Sequence, residues 1–131
     1  MVDRDRILFV DDEPGVRDVI CGAVERWGYK ITCVGNAEDA MAVFKNEKPF
    51  LTMTDLRLDG DISGAMLATK LHRENPFCIF IALTGFMEAF GFGYLIGSVF
   101  TDVLVKPVVM DELKKLIDFS KERSNRWAEW M

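Results

Sequence analysis

The residues able to do chemistry in this chain stand directly behind short apolar runs. Asp11, Asp12 and Glu13 follow Ile7–Val10, Asp55 follows Phe50–Thr54, Thr84 closes Cys78–Leu83, and Lys106 closes Val103–Val105. If those runs are strands of one sheet, the carboxylates behind two of them meet in one crevice with an amine opposite. Packing like charges together is costly unless a cation offsets them, so the pattern implies a divalent ion. Oxygen donors, with one or two carboxylates in direct contact, describe Mg²⁺ better than Zn²⁺, which prefers the Cys and His missing at these places. A single Asp would read as a solvated loop residue. Several at strand ends with a Lys facing them read as a site.

The elements that must position these groups follow from periodicity. Each apolar run is succeeded by helical spacing: Val16, Val19, Ile20, Ala23, Val24 and Trp27 form one stripe, with Gly28 at the C-cap position. Ile31–Val34 leads to a helix capped by Asn36, with Ala37, Ala40, Met41 and Phe44 inward and Pro49 closing it. Ala65, Leu67, Ala68 and Leu71 mark another, which must end before Pro76. A last helix turns Leu113, Leu116 and Ile117 inward and Lys114 and Lys115 outward. Strands alternating with helices run parallel, because a helical crossover returns the chain to the same end of the sheet. The fold class is therefore α/β, a five-stranded parallel sheet with helices on both faces, and the site belongs beyond the carboxyl ends of the strands.

Composition narrows the function. The chain has 131 residues, 50% of them hydrophobic, and sixteen Lys+Arg against twenty-one Asp+Glu give a net charge of -5, which opposes the phosphate attraction behind nucleic-acid binding. The opening residues MVDRDR precede too short an apolar run for a signal peptide. Phe77–Thr101 carries only Glu88 as a charge and is long enough to span a bilayer, which takes about 20 residues. Its four glycines and its β-branched start read instead as strand, turn and helix, so no membrane partner is expected. Cys21, Cys33 and Cys78 show no CxxC pair or metal spacing and read as reduced core thiols of a cytoplasmic protein.

The fragments ILFVDDE, LTMTDLRL with DG and SG behind it, LTG and VLVKP, in that order, resemble the receiver domain of two-component response regulators over Arg6 to Phe119. The resemblance implies a flavodoxin-like sheet of strand order 2-1-3-4-5, a receiver domain over 1–122, and a C-terminal extension or linker over 123–131. It implies that Asp55 accepts a phosphoryl group from a histidine kinase or phosphotransfer protein. Asp12, Asp55 and the backbone carbonyl of Arg57 would hold Mg²⁺, with Asp11 acting through water and Glu13 a weaker candidate. Thr84 and Lys106 would touch the phosphoryl oxygens, and the Lys106–Pro107 bond would be cis. Such a protein is a phosphoacceptor switch that signals by contact with a downstream protein target and catalyses only its own phosphorylation and dephosphorylation. Phosphate would draw in the Thr84 hydroxyl and displace the loop behind it. No effector domain follows in this chain.

Departures from the family pattern matter. Val103 stands where an aromatic is usual, so a rotamer switch there is impossible. The loop DLRLDGDISG lacks the usual proline and methionine. A bulky Phe86, with Arg57, flanks the path of the hydrolytic water and would slow loss of phosphate. These departures keep a second reading open, a receiver-like adaptor that binds proteins without being phosphorylated. A haloacid-dehalogenase-type phosphatase needs a DxD motif, whereas Asp11 and Asp12 are adjacent. The segment FMEAFGFGYLIGSVF reads either as a core-facing helix or as a homodimer or partner surface within residues 86–105. Trp127, Trp130 and Met131 form a stripe in the tail. His72 reads as a solvated surface residue, and Lys114, Lys115, Lys121, Arg123 and Arg126 as a solvated helix face.

Overall fold

Alternation of side chains along the first strand already sets two cores. In β1 (Asp3–Val10), Ile7 and Phe9 face one side of the sheet and Leu8 and Val10 the other. The computed structural model describes residues 1–85 and 99–130. Within them the order is β1, α1 (Pro14–Arg26), β2 (Lys30–Val34), α2 (Ala37–Glu47), β3 (Pro49–Asp55), α3 (Gly64–Glu74), β4 (Ile79–Thr84), β5 (Phe100–Val105) and α4 (Met110–Trp130). All strand pairs are parallel and the sheet order is β2-β1-β3-β4-β5. Ile20 and Val24 of α1 and Leu113 and Ile117 of α4 cover one face, while Ala40 and Phe44 of α2 and Leu67 and Leu71 of α3 cover the other.

Local chemistry sets the helix ends. Asn36 accepts the Asp39 N–H at 2.8 Å, Ser63 caps α3 through the Met66 N–H, and Gly28 takes the left-handed conformation at φ +96 behind α1. The edge strands are longer than their apolar runs. β5 starts at Phe100 because an edge strand tolerates exposed Thr101 and Asp102, which the central β3, buried throughout, would not.

Several sequence expectations are corrected. Val19 is 58% exposed and lies off the buried stripe of α1. Of the three thiols only Cys78 is in the core, since Cys33 sits on edge strand β2 with Cys21 beside it, both half-buried. His72 is half-buried, its ring edge-on to Phe80 at 6.1 Å. Lys121 folds over the Phe50 ring and bonds Asp5 and the Arg4 carbonyl instead of extending into solvent. α4 runs unbroken past residue 122, because its buried stripe continues through Ser120 and Ser124, small side chains that apolar periodicity overlooks. Trp127 packs toward the core and Trp130 is exposed. The Phe86 segment and Met131 lie outside the described residues.

Candidate functional site at the carboxyl edge of the sheet

Parallel pairing brings Val10 beside Val34 and Thr54, so the residues after β1 and at the end of β3 emerge at one edge. There the carboxylates of Asp11, Asp12, Glu13 and Asp55 converge, each offering an oxygen within 4.8 Å of the others. Two strand ends supply them, β1 and β3. Asp11 is fully buried and Asp55 is 8% exposed, whereas Asp12 is half-buried and Glu13 exposed.

Asp11 is held from every side. Its N–H donates to the Val34 carbonyl at 3.1 Å, its Oδ1 accepts the Glu13 N–H at 2.9 Å, and its carbonyl accepts Arg17 Nη1 at 2.7 Å. Lys106 Nζ donates to Asp11 Oδ2 at 2.8 Å and to Asp55 Oδ2 at 2.7 Å. Charge-assisted bonds of this length are the strong kind. Burial pushes the Lys106 ammonium down, but hydrogen bonds and charge from Asp11 and Asp55 together outweigh it, and its pKa stands above the ordinary lysine value. The amine is therefore a fixed cation at neutral pH.

The remaining contacts set the loops. Asp55 Oδ1 accepts the Arg57 N–H at 3.1 Å, and Asp12 Oδ2 accepts the Asp59 N–H at 3.1 Å. The Lys106 N–H donates to the Thr84 carbonyl at 2.7 Å, tying the ends of β4 and β5 together. The Thr84 side chain is buried, and its hydroxyl donates to the Gly85 carbonyl at 3.3 Å. Lys106–Pro107 is cis, as the VKP fragment suggested. Val103 is half-buried and packs on the small cluster of Leu56 and Ala82.

Two residues to which the sequence assigned no role support the site. Gly64, at the start of α3, lets that helix rest on the end of β3, since a Cβ there would stand 1.8 Å from the Asp55 carbonyl oxygen. Arg17 braces Asp11 from α1; a cation in the first turns of a helix that follows three acids was the available signal. An all-oxygen donor set of this charge fits a hard divalent cation.

A parallel sheet of this order, with acids at two strand ends and a lysine bridging them, defines a class of signalling domain that the comparisons identify. Residues 7–118 match the response regulator receiver domain family, and the chain belongs to it. Members of this family are generally signalling switches that bind Mg²⁺ at an acidic pocket and interact with histidine kinases and output domains. The probable transcriptional regulator ycf27 of Pyropia yezoensis is 30% identical over 125 residues, covering 94% of this chain and 50% of that protein. The phosphate regulon transcriptional regulatory protein PhoB of Pseudomonas aeruginosa is 41% identical over 68 residues, covering 52% of this chain and 29% of that protein. A CheY-like receiver domain protein from Methanospirillum hungatei JF-1 superposes with a TM-score of 0.85 at 25% identity, covering 93% of this chain and 97% of that one. The chain spans half or less of the length of these curated relatives. Among the described residues no helix is long and apolar enough to cross a membrane.

Proposed function

We propose that this receiver is a Mg²⁺-dependent phosphoacceptor, with Asp55 as the residue that carries the phosphoryl group. The observation that carries the reading is the Lys106 ammonium bridging Asp55 and Asp11 at 2.7 and 2.8 Å. It sets a positive charge directly against the Asp55 carboxylate, where phosphoryl oxygens would arrive. An Asp55 oxygen attacks phosphorus, the phosphorus–nitrogen bond of a phosphohistidine donor breaks, and the histidine leaves with the electron pair and takes up a proton. Mg²⁺, held by Asp12, Asp55 and the Arg57 carbonyl with Asp11 behind a water, would offset the negative charge of the carboxylates and the transferred group. Glu13 stands at the rim of this set. The Thr84 hydroxyl, now turned to the Gly85 carbonyl, turns to a phosphoryl oxygen once one is present. With Val103 on the neighbouring strand, that movement has no aromatic to drive.

The donor's place is supported by an apolar groove of about 520 Å³ beside Lys106, walled by Val16, Val19, Ile20, Pro107, Val108 and Met110. Exposed Val19 gives a histidine kinase or phosphotransfer protein of the cytoplasm a surface to bury. Output passes to a downstream protein or to a second copy of this chain.

Uptake of phosphoryl from a small acyl-phosphate donor, followed by intact mass, tests the reading. One phosphoryl group should be gained with Mg²⁺, none after chelation, and none in Asp55→Asn. A protein that stays unmodified while still binding its partner is the non-phosphorylated adaptor, and equal labelling of Asp55→Asn would place the acceptor elsewhere.

A further inference from the structure

The contact between α1 and β2 holds two thiols, one on each element, that the acidic crevice does not use. Helix and strand meet in register there. At the carboxyl end of β2 the Arg17 guanidinium covers Gly35, where a Cβ would stand 2.8 Å from Nη1. One helical turn on from Arg17 is Cys21, an advance of about 6 Å at roughly 1.5 Å per residue. Two residues back along the strand from Gly35 is Cys33, about 6.6 Å at roughly 3.3 Å per residue. The steps match, so Cys21 falls over Cys33. The packing agrees, because Cys33 and Ile31 lie against the cluster that holds Ile20 and Val24 of α1. Cys21 is near enough to act electrostatically on the Cys33 thiol, and its own Sγ lies 3.7 Å from Glu25 Oε1. Edge strand β2 leaves both thiols half-buried. Cys78 contrasts with them: it is enclosed on the other face and contacts Thr52 Oγ1 at 3.4 Å.

We propose that Cys21 and Cys33 form a modification site, a paired dithiol that a peroxide converts into a reversible disulfide fastening α1 to β2. The Cys21 sulfur attacks one peroxide oxygen, the oxygen–oxygen bond breaks, and the sulfur becomes a sulfenic acid as one water leaves. The Cys33 sulfur then attacks the Cys21 sulfur, gives up its proton and expels the hydroxyl as a second water. Two thiols lose two electrons and the peroxide gains them. The order of attack follows from the surroundings: burial pushes the Cys33 thiol up, Cys21 and Glu25 push it further, and Arg17 opposes them only in part. Cys33 therefore stays protonated and acts second. The bond would lie one turn below the Arg17 contact to the Asp11 carbonyl, so the oxidised protein holds the helix that braces the acidic crevice.

The dithiol chemistry does not depend on phosphoryl transfer. The native whole chain is treated with hydrogen peroxide, then read by intact mass and by peptide mapping without reductant. The expected product is lighter by two hydrogens, contains a Cys21–Cys33 cross-linked peptide, and reverts with dithiothreitol. Cys78→Ser and Asp55→Asn should cross-link like the wild type. Cys33→Ser should gain oxygen at Cys21 without cross-linking; should that variant fail to fold, the wild-type peptide map decides alone. Oxygen accumulating at Cys21 in the wild type with no cross-linked peptide overturns the proposal, as does a cross-link to Cys78 or one that forms only in denaturant.

Discussion

A methyl group added at Gly64 should damage both stability and the site, by an amount the backbone geometry sets. The new carbon would stand 1.8 Å from the Asp55 carbonyl oxygen, 2.8 Å from its carbonyl carbon and 3.0 Å from the Leu56 Cα. All three are main-chain atoms, so no side chain can swing aside. Ordinary contact begins near 3.4 Å, so α3 and the end of β3 must part by about 1.6 Å. The Gly64 N–H bond to the Leu56 carbonyl, 3.0 Å long, is lost or stretched as they do. Overpacking of this kind costs about 1–3 kcal/mol, and each kcal/mol is worth roughly 4 °C in a domain of this size. Gly64→Ala should therefore melt about 4–12 °C below the wild type. Because the same displacement reaches Asp55, acyl-phosphate uptake should slow about 100-fold, the usual effect of a reacting group misplaced by roughly 1 Å. Gly15→Ala, with nothing within 4 Å of its added carbon, is the control and should be neutral in both assays. A Gly64→Ala protein that melts and takes up phosphoryl like the control would refute the claim that this close approach holds Asp55 in place.

Two further outcomes are expected. Adding Mg²⁺ should raise the melting midpoint, by about 2.7 kcal/mol of stability at one hundred times the dissociation constant, and Asp12→Asn should need much more Mg²⁺ for the same rise; identical titrations would remove Asp12 from the cation site. Tyr29 donates to Asp118 Oδ1 at 2.7 Å, joining the start of β2 to α4, so Tyr29→Phe should cost about 1 kcal/mol at neutral pH in chemical denaturation. Burial first, then the hydrogen bond and charge of Asp118, raise the Tyr29 pKa above its ordinary 10.0. Its contribution is therefore complete below pH 10 and lost only as pH rises through the higher folded value, so wild type and Tyr29→Phe should converge in strongly alkaline solution. A gap that stays constant above pH 10 would contradict the shift.

The sheet and the acidic edge were legible because both rest on short-range pattern. Apolar runs give strands, strands alternating with helices force parallel pairing, and parallel pairing puts Asp11, Asp12 and Asp55 at one edge. What stayed hidden depends on contacts between distant segments. Nothing in SGAMLATKL announces that Gly64 touches the Asp55 carbonyl, because glycine before a helix also serves as an ordinary turn residue. Val19 fits the α1 stripe by spacing yet faces outward, since the groove beside Lys106 is open there. Ser120 and Ser124 conceal how far α4 packs, and the Cys21–Cys33 register emerges only once α1 lies on β2. His72 and Lys121 looked solvated because the rings of Phe80 and Phe50, which receive them, come from other strands.

The hydrogen bond from the Asp59 N–H to Asp12 Oδ2 joins residues far apart in the chain and gives the segment between β3 and α3 a tether at the crevice. That oxygen cannot serve a backbone proton at full strength while being drawn toward a new positive neighbour. A cation loaded there would thus slacken a stretch of surface several residues away, and the Asp59 amide proton would exchange faster in proportion to the fraction of molecules loaded.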